Sequence, residues 1–403
     1  MATSEYSTAV EDTVEGNAAE LWELSMCLWS HPELALKERK AHHLLTGFLE
    51  KWGFKVHRHH HLETAFRAEA VAPGGADGPT VALMAEYDAL PDIGHGCGHN
   101  LIAEAAMGAA IAVMDAMKKF SNVRGKLVVI GTPGEEGAGG KVLLLEKGAF
   151  ADVDAALMAH PGFRDVLKAY FNSRRQLDVQ YEAKAPHAPE SPWVGPNAQD
   201  AAVAAYVNLS LLRQHITPAS RILGVAKQLG SHASVVPESS RLVYQLRAPN
   251  QEERSSLVKR AQGAFQAAAL ATGCRVTIER GMEYKELIHN DALLQTYRKH
   301  AEAMGVSFFD ITKNIVARTG GSTDAGNVSY ALPTLHPLFT AGTVRPHSRS
   351  FTEAAGSEDA QKATRCTAKA LALTALDLMS DPALMAQVRK DFEVWKSAQA
   401  PSV

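Results

Sequence analysis

The stretch Thr80–Asn100, TVALMAEYDALPDIGHGCGHN, changes texture in a way that decides the fold. It opens as a short apolar run, TVALMAEY, that reads as an extended strand. It closes on two acids, Glu86 and Asp88, and then breaks into glycines at 94, 96 and 98. Glycine frees the backbone to bend tightly and lets another group come close. Between those glycines stand Cys97 and His99, the side-chain types that bind a borderline metal such as zinc. Alone, a Cys-x-His pair fits a buried thiol beside a turn histidine equally well. The surroundings have to decide.

Outward from this stretch, extended runs recur at TAFRAEAV (64–71), KLVVIGT (126–132) and AALMAHP (155–161). Helical stretches around 101–118 and 140–148 separate the last three strands. Strands alternating with helices predict an α/β domain with a largely parallel sheet. Upstream, NAAELWELSMCLWS places Leu21, Leu24 and Leu28 on one helix face, with Asn17 and Glu20 spaced as a capping box. AHHLLTGFLEKWGF repeats the pattern and stops at Gly53.

The texture shifts near residue 177. Strand, helix, two strands, helix and strand follow in turn: QLDVQYEAKAPHA, NAQDAAVAAYVNLSLLRQH, ASRILGVAKQ, SRLVYQLRA, EERSSLVKRAQGAFQAAALATG and CRVTIERG. That order predicts a compact α+β insert, ferredoxin-like, with its sheet covered on one face. Helices return in NDALLQTYRKHAEAMG and GSEDAQKATRCTAKALALTALDLM. The expected division is a catalytic domain of residues 1–176 and 292–403, interrupted by a lid or dimerisation domain at 177–291.

Bulk composition narrows the function. At 403 residues the chain is long for one core. Its 46% hydrophobic and 21% charged residues are those of a globular protein. A net charge of -3 argues against nucleic acid, which requires a concentrated basic face. The start of the chain is polar and acidic, and no run of about 18 apolar residues suggests a membrane span. Four scattered cysteines form no disulfide framework and suit a reducing compartment, so a cytoplasmic location is expected.

In open α/β sheets, ligands gather beyond the carboxyl ends of the strands. There the sequence places Glu86 and Asp88, then Glu135 and Glu136, then His160. With Cys97, His99 and the late His347 in TVRPHSRSFTEAAGS, the candidate ligands are Cys97, His99, Glu136, His160 and His347. Five ligands exceed what one tetrahedral zinc needs, so two metals are the natural count. Imidazole and carboxylate admit zinc, manganese, cobalt or nickel, and the thiolate tilts the set toward zinc. In GEEG one glutamate can bind metal while its neighbour acts as general base. A solvated turn is the plain alternative for such a pair. Asp88 can orient a ligand from behind. The HRHHH run at 57–61 reads as an exposed edge strand.

AEYDALPDIGHGCGHNLIAEAA (85–106), GTPGEEGAGGK (131–141), MAHP (158–161), GSTDAGNVSYALPTLHP (321–337) and PHSRSFTEAAGS (346–357) together resemble the M20 family of metallopeptidases and amidohydrolases. TAFRAEA, HNLIAEAA and the RAP after the lid strand are most similar to its branch of Xaa-Arg (β-alanyl-lysine) dipeptidases, also called aminoacylase-1-like. The resemblance implies that Cys97, His99, Glu136, His160 and His347 hold two divalent ions per subunit and that Glu135 is the base. It implies that His187 in KAPHAP is a lid histidine reaching the substrate, often from the other subunit of a homodimer. His232, Ser322, Thr323, Asp324 and Arg345 become the expected substrate contacts; Ser234 replaces an asparagine common in the family. Glu86 stands where many relatives carry a ligand histidine and is kept out of the ligand set. The expected reaction is hydrolysis of a dipeptide with a basic C-terminal residue. Hydrolysis of an N-acyl amino acid, or a metal-binding scaffold without catalysis, are the alternatives.

Overall fold

The computed structural model describes residues 6–184, 191, 193–310 and 321–399. Two compact units divide the chain: Met1–Ala169, Ile288–Ile311 and Asn327–Val403 form one, and Tyr170–Leu287 with Thr312–Gly326 form the other. The sequence pattern puts the boundaries at 177 and 291 and leaves 312–326 in the first unit. The inserted unit starts earlier because its first strand begins at Ser173. It also claims residues around 321, because the Asn172 N–H donates to the Gly321 carbonyl.

The first unit is built on a six-stranded sheet. Its strands are β1 (Lys55–Arg58), β2 (Phe66–Val71), β3 (Thr80–Ala85), β4 (Lys126–Gly131), β5 (Ala155–Leu157) and a late strand, Thr334–Leu335. Across the sheet they run β1, β2, β4, β3, β5 and then Thr334–Leu335. The four strands from β4 onward are mutually parallel, while β1 and β2 are antiparallel additions at one edge. Parallel neighbours end at the same side, so the segments leaving β4, β3 and β5 emerge together. The HRHHH run straddles the end of edge strand β1.

Helix α1 (Ser7–Gly16) has no counterpart in the sequence reading, because its acidic surface masks the buried Val10 and Val14. It runs almost directly into α2 (Ala18–Ser30), so Asn17 makes no capping hydrogen bond. Its side-chain amide instead donates to the Thr13 carbonyl, satisfying the end of α1, and the expected capping box does not form. Helix α3 (Arg39–Lys51) buries Leu45, Phe48 and Leu49. Helix α4 (His99–Lys119) is buried along most of its length, packing against the sheet and against Glu358–Ser380. Contrary to the sequence expectation, α4 is long and apolar enough to suit a membrane span, yet 94% of its most apolar window is buried inside the protein.

The AALMAHP run divides. After β5 the chain forms β6 (His160–Gly162), which pairs in parallel with Leu338–Thr340 as a separate ribbon.

The inserted unit has strands β7 (Ser173–Glu182), β8 (Arg221–Gln228), β9 (Ser239–Ala248) and β10 (Arg275–Tyr284), with helices Ala198–Leu212 and Gln251–Thr272. The sheet order is β10, β7, β9, β8, all antiparallel, and the chain order is βαββαβ. That is the ferredoxin-like arrangement. Asn197 and Asn250 cap the two helices, accepting from the Gln199 and Glu253 N–H groups. Both helices bury their apolar faces on one side of the sheet, around Tyr181, Leu246 and Phe265.

The loop that carries Cys97 depends on a glycine. Gly98 precedes α4 with φ 78°, and a Cβ there would stand 2.7 Å from the Pro161 ring. Gly98→Ala is expected to lower stability by about 1–2 kcal/mol for the left-handed backbone alone. The displaced Pro161 adds to that loss. Urea denaturation measures it, and an unchanged midpoint would show that the loop does not need this backbone.

Candidate metal centre

Three segments of the first unit meet beyond the carboxyl ends of adjacent strands. Thr132 ties two of them, its N–H and Oγ1 both donating to the Ala85 carbonyl at 2.8 and 3.0 Å. Asp88, two residues beyond Glu86 and fully buried, then holds both sides. His99 Nδ1 lies 2.8 Å from the Asp88 carbonyl and 3.1 Å from its Oδ1. Its other oxygen, Oδ2, accepts the Glu136 N–H at 2.9 Å. One carboxylate thereby orients an imidazole and fixes the GEEG loop. The turn itself needs glycines 134, 137 and 139, all at positive φ.

Around this brace the side chains converge. Cys97, His99 and His160 bring ligand atoms within 4.8 Å of one another; so do Cys97, Glu136 and His347, and so do His99, Glu135 and Glu136. All five expected ligands and the expected base therefore fall in overlapping groups, with Cys97 shared by the first two. His160 Nε2 is 3.5 Å from the Cys97 sulfur, and its Nδ1 faces the Pro161 carbonyl at 2.7 Å. His347 has φ 65°, and its N–H donates to the Gly96 carbonyl at 2.7 Å, which draws the late segment onto the cysteine loop. Ser348 then caps the helix Arg349–Ala355. His347 Nε2 lies 3.2 Å from Glu136 Oε1, close but not aligned for a hydrogen bond.

The donor atoms fit a cation. His99 Nε2, Glu136 Oε1 and Glu86 Oε2 are buried and make no hydrogen bond, although each belongs to a group that burial penalises. Burial, with the Glu136 carboxylate, pushes the Cys97 thiol well above its ordinary pKa. A divalent cation is the charge that reverses such a shift and holds a thiolate. Burial also lowers His160 to about 4, which leaves its imidazole neutral and able to ligate.

Peptidase family M20/M25/M40 matches residues 82–372, a span that includes every one of these side chains. The chain belongs to that family. Among relatives of this M20 chain, the Xaa-Arg dipeptidase of Mus musculus is 44% identical over 395 residues, covering 95% of this chain and 91% of the relative. The Xaa-Arg dipeptidase of Homo sapiens is 41% identical over 397 residues, with the same coverage of 95% and 91%. A p-aminobenzoyl-glutamate hydrolase polypeptide of Escherichia coli is 27% identical, over 95% of this chain and 94% of its own length. Two solved structures share the fold. An aminobenzoyl-glutamate utilization protein from Klebsiella pneumoniae superposes with TM-score 0.73 at 18% identity, over 91% of this chain and 98% of its own. A dinuclear metal-binding peptidase of the M20 family from Bacillus subtilis superposes with TM-score 0.68 at 18% identity, over 91% and 99%.

The remaining expected residues of the M20 chain fall elsewhere. Arg345 is exposed, its guanidinium 5.0 Å from the centre of the Phe163 ring. His232, Ser322, Thr323 and Asp324 belong to the inserted unit. There His232 is exposed and its Nδ1 accepts the Ser234 N–H, while Thr323 is buried and its Oγ1 accepts the Ala325 N–H. The Ser322 hydroxyl is buried without a partner. His187 lies outside the described residues. Three buried residues outside the expected set lie against it. Glu86 stands outside the expected ligand set, yet its Oε2 is 3.3 Å from His99 Nε2. Lys141, the last residue of GTPGEEGAGGK, is fully buried against Glu86. His336 of the TLHP motif is fully buried and stacks on His160 at 5.9 Å.

Glu136→Ala removes the carboxylate of the Cys97–Glu136–His347 group and is expected to lower bound divalent metal without changing the far-ultraviolet circular dichroism. Elemental analysis after zinc or manganese loading gives the answer, and unchanged content removes Glu136 from the ligand set.

Proposed function

We propose that this M20 chain is a metal-dependent dipeptidase for dipeptides ending in a basic residue. The observation that carries the reading is the overlap of three ligand groups around Cys97 and His99, with Glu135 among them. The two Xaa-Arg dipeptidases, each matched over 95% of this chain, supply the substrate class. Cys97, His99, Glu136, His160 and His347 hold two divalent ions, zinc by virtue of the thiolate, with manganese, cobalt or nickel as alternatives. When bound, the metals supply an acidified water and polarise an amide carbonyl.

The chain's own residues do the rest. Glu135 is nearly buried beside His99 and Glu136, so its carboxylate is sheltered from bulk water. It accepts the proton of the attacking water and returns it to the leaving amine. Asp88 keeps His99 in one orientation throughout. Arg345, held on Phe163, offers its guanidinium to the substrate carboxylate. Substrate contacts are assigned to Ser322, Thr323, Asp324 and His232, with His187 as the donor to the developing oxyanion. The four cysteines are all free, consistent with work in the reducing cytoplasm.

Glu135→Gln is expected to keep its metal and lose about 10²–10⁴ in kcat. Near-normal turnover would remove Glu135 as the base. The substrate panel compares β-alanyl-lysine, Xaa-Arg dipeptides, N-acetyl amino acids and aromatic N-acyl conjugates. Hydrolysis of the acyl compounds alone would transfer the reading to an amidohydrolase of the kind the Escherichia coli relative's name describes. Full activity after chelation and dialysis would contradict metal dependence.

The protein works as a homodimer through its inserted unit. Val203, Tyr206, Val207 and Leu211 form an exposed apolar face on the helix Ala198–Leu212, and Leu223 and Val225 are exposed on edge strand β8. Unpaired edges and apolar faces of this kind favour association. Tyr206→Glu with Val225→Asp is expected to halve the sedimenting mass. Mixing inactive His187→Ala with inactive Glu135→Gln is expected to restore part of the activity; failure despite subunit exchange would confine His187 to its own chain.

A further inference from the structure

The fully buried pair Glu86–Lys141 adjoins His99 and takes no part in the mechanism above. Lys141 Nζ donates to Glu86 Oε1 at 2.5 Å. Lys141 is on the first turn of Gly140–Glu146, just after the GEEG loop. Gly140 makes that position reachable, because a Cβ there would collide with the Pro133 carbonyl. Glu86's second oxygen, Oε2, has no hydrogen-bond partner and lies 3.3 Å from His99 Nε2. His99 already commits Nδ1 to Asp88, so Nε2 is its metal-facing nitrogen. The pair thus sets one carboxylate oxygen beside the free nitrogen of His99 and a positive charge on the other oxygen.

We propose that Glu86 and Lys141 are positioning residues that set the charge of the metal centre, Glu86 drawing the cation toward His99 and Lys141 limiting that pull. The inference rests on the metal-dependent reading above. It goes beyond the ligand set, in which neither residue has a place.

Opposite signs follow from Coulomb's law. Lys141→Met keeps the length of the side chain and deletes its charge, leaving Glu86 uncompensated beside the cation. Metal binding is expected to tighten by about tenfold, and the metal-free protein to melt at a lower temperature because a buried carboxylate has lost its partner. Glu86→Gln removes the carboxylate charge beside His99 and keeps the Lys141 charge, and metal binding is expected to weaken by about 10–100-fold. The double variant Glu86→Gln/Lys141→Met is neutral and is expected to return toward the wild-type affinity. A merely structural role would weaken both single variants alike.

The experiment measures zinc and manganese affinity of the full chain by chelator competition, together with melting temperatures with and without each metal. Tightening in Lys141→Met, weakening in Glu86→Gln and recovery in the double variant support the proposal. Equal weakening in both single variants, no change in either, or a double variant no tighter than Glu86→Gln overturns it. If Lys141→Met does not fold alone, the comparison of Glu86→Gln with the double variant decides by itself. Wild-type protein that binds neither metal defeats the metal-dependent reading instead, so the two failures are distinguishable.

Discussion

Everything at the centre depends on the Asp88 carboxylate, which receives a histidine on one oxygen and a backbone N–H on the other. The first bond fixes which nitrogen of His99 faces the site. The second fixes the GEEG turn, and with it the placing of Glu135 and Glu136. A neutral amide at this position would have to present a donor to one of those two groups, because an amide carries only one acceptor oxygen. Burial makes the arrangement strict. At zero exposure no water can replace a lost partner.

The sheet makes this brace possible. β3 lies between β4 and β5, and all three run the same way, so Asp88, the glutamate loop and His160 emerge side by side. Parallel neighbours require a crossover, and α4 provides it while carrying His99 on its first residue. The apolar burial of α4 therefore anchors the start of the helix, where the candidate ligand His99 sits. Rigidity of the core and precision of the site have a common origin here. His347 arrives from the far end of the chain through one backbone bond to Gly96, and this bond completes the second ligand group.

The site concentrates groups that would be costly to bury singly. A thiol, several carboxylates, three imidazoles and a lysine occupy a small volume with several polar atoms left unpartnered. Folding tolerates such atoms where a cation or substrate later satisfies them. The buried Lys141–Glu86 pair follows the same logic of charge, since one fixed cation offsets one fixed anion beside the ligands.

Much of this was legible in the sequence. Strand and helix textures from 64 to 161, the βαββαβ order of the insert and the glycine-rich ligand loops follow from local patterns, because period, turn chemistry and apolar content are properties of short segments. The ligand types were legible for the same reason: Cys97 and His99 lie between glycines, and Glu135 and Glu136 follow an apolar strand. Local pattern failed where a neighbour distant in sequence decides. Asn17 looked like a cap, but the end of α1 recruits its amide. Residues around 321 join the inserted unit through a bond to Asn172 that no segment reveals by itself. Lys141 has no role in the local pattern and Glu86 reads as a replaced ligand, yet the fold buries them against each other, 55 residues apart in the chain. Sequence determined which chemistry the chain can offer. Only the tertiary structure decided which charges meet, because long-range pairing depends on which strand ends emerge together, and that is a property of the sheet.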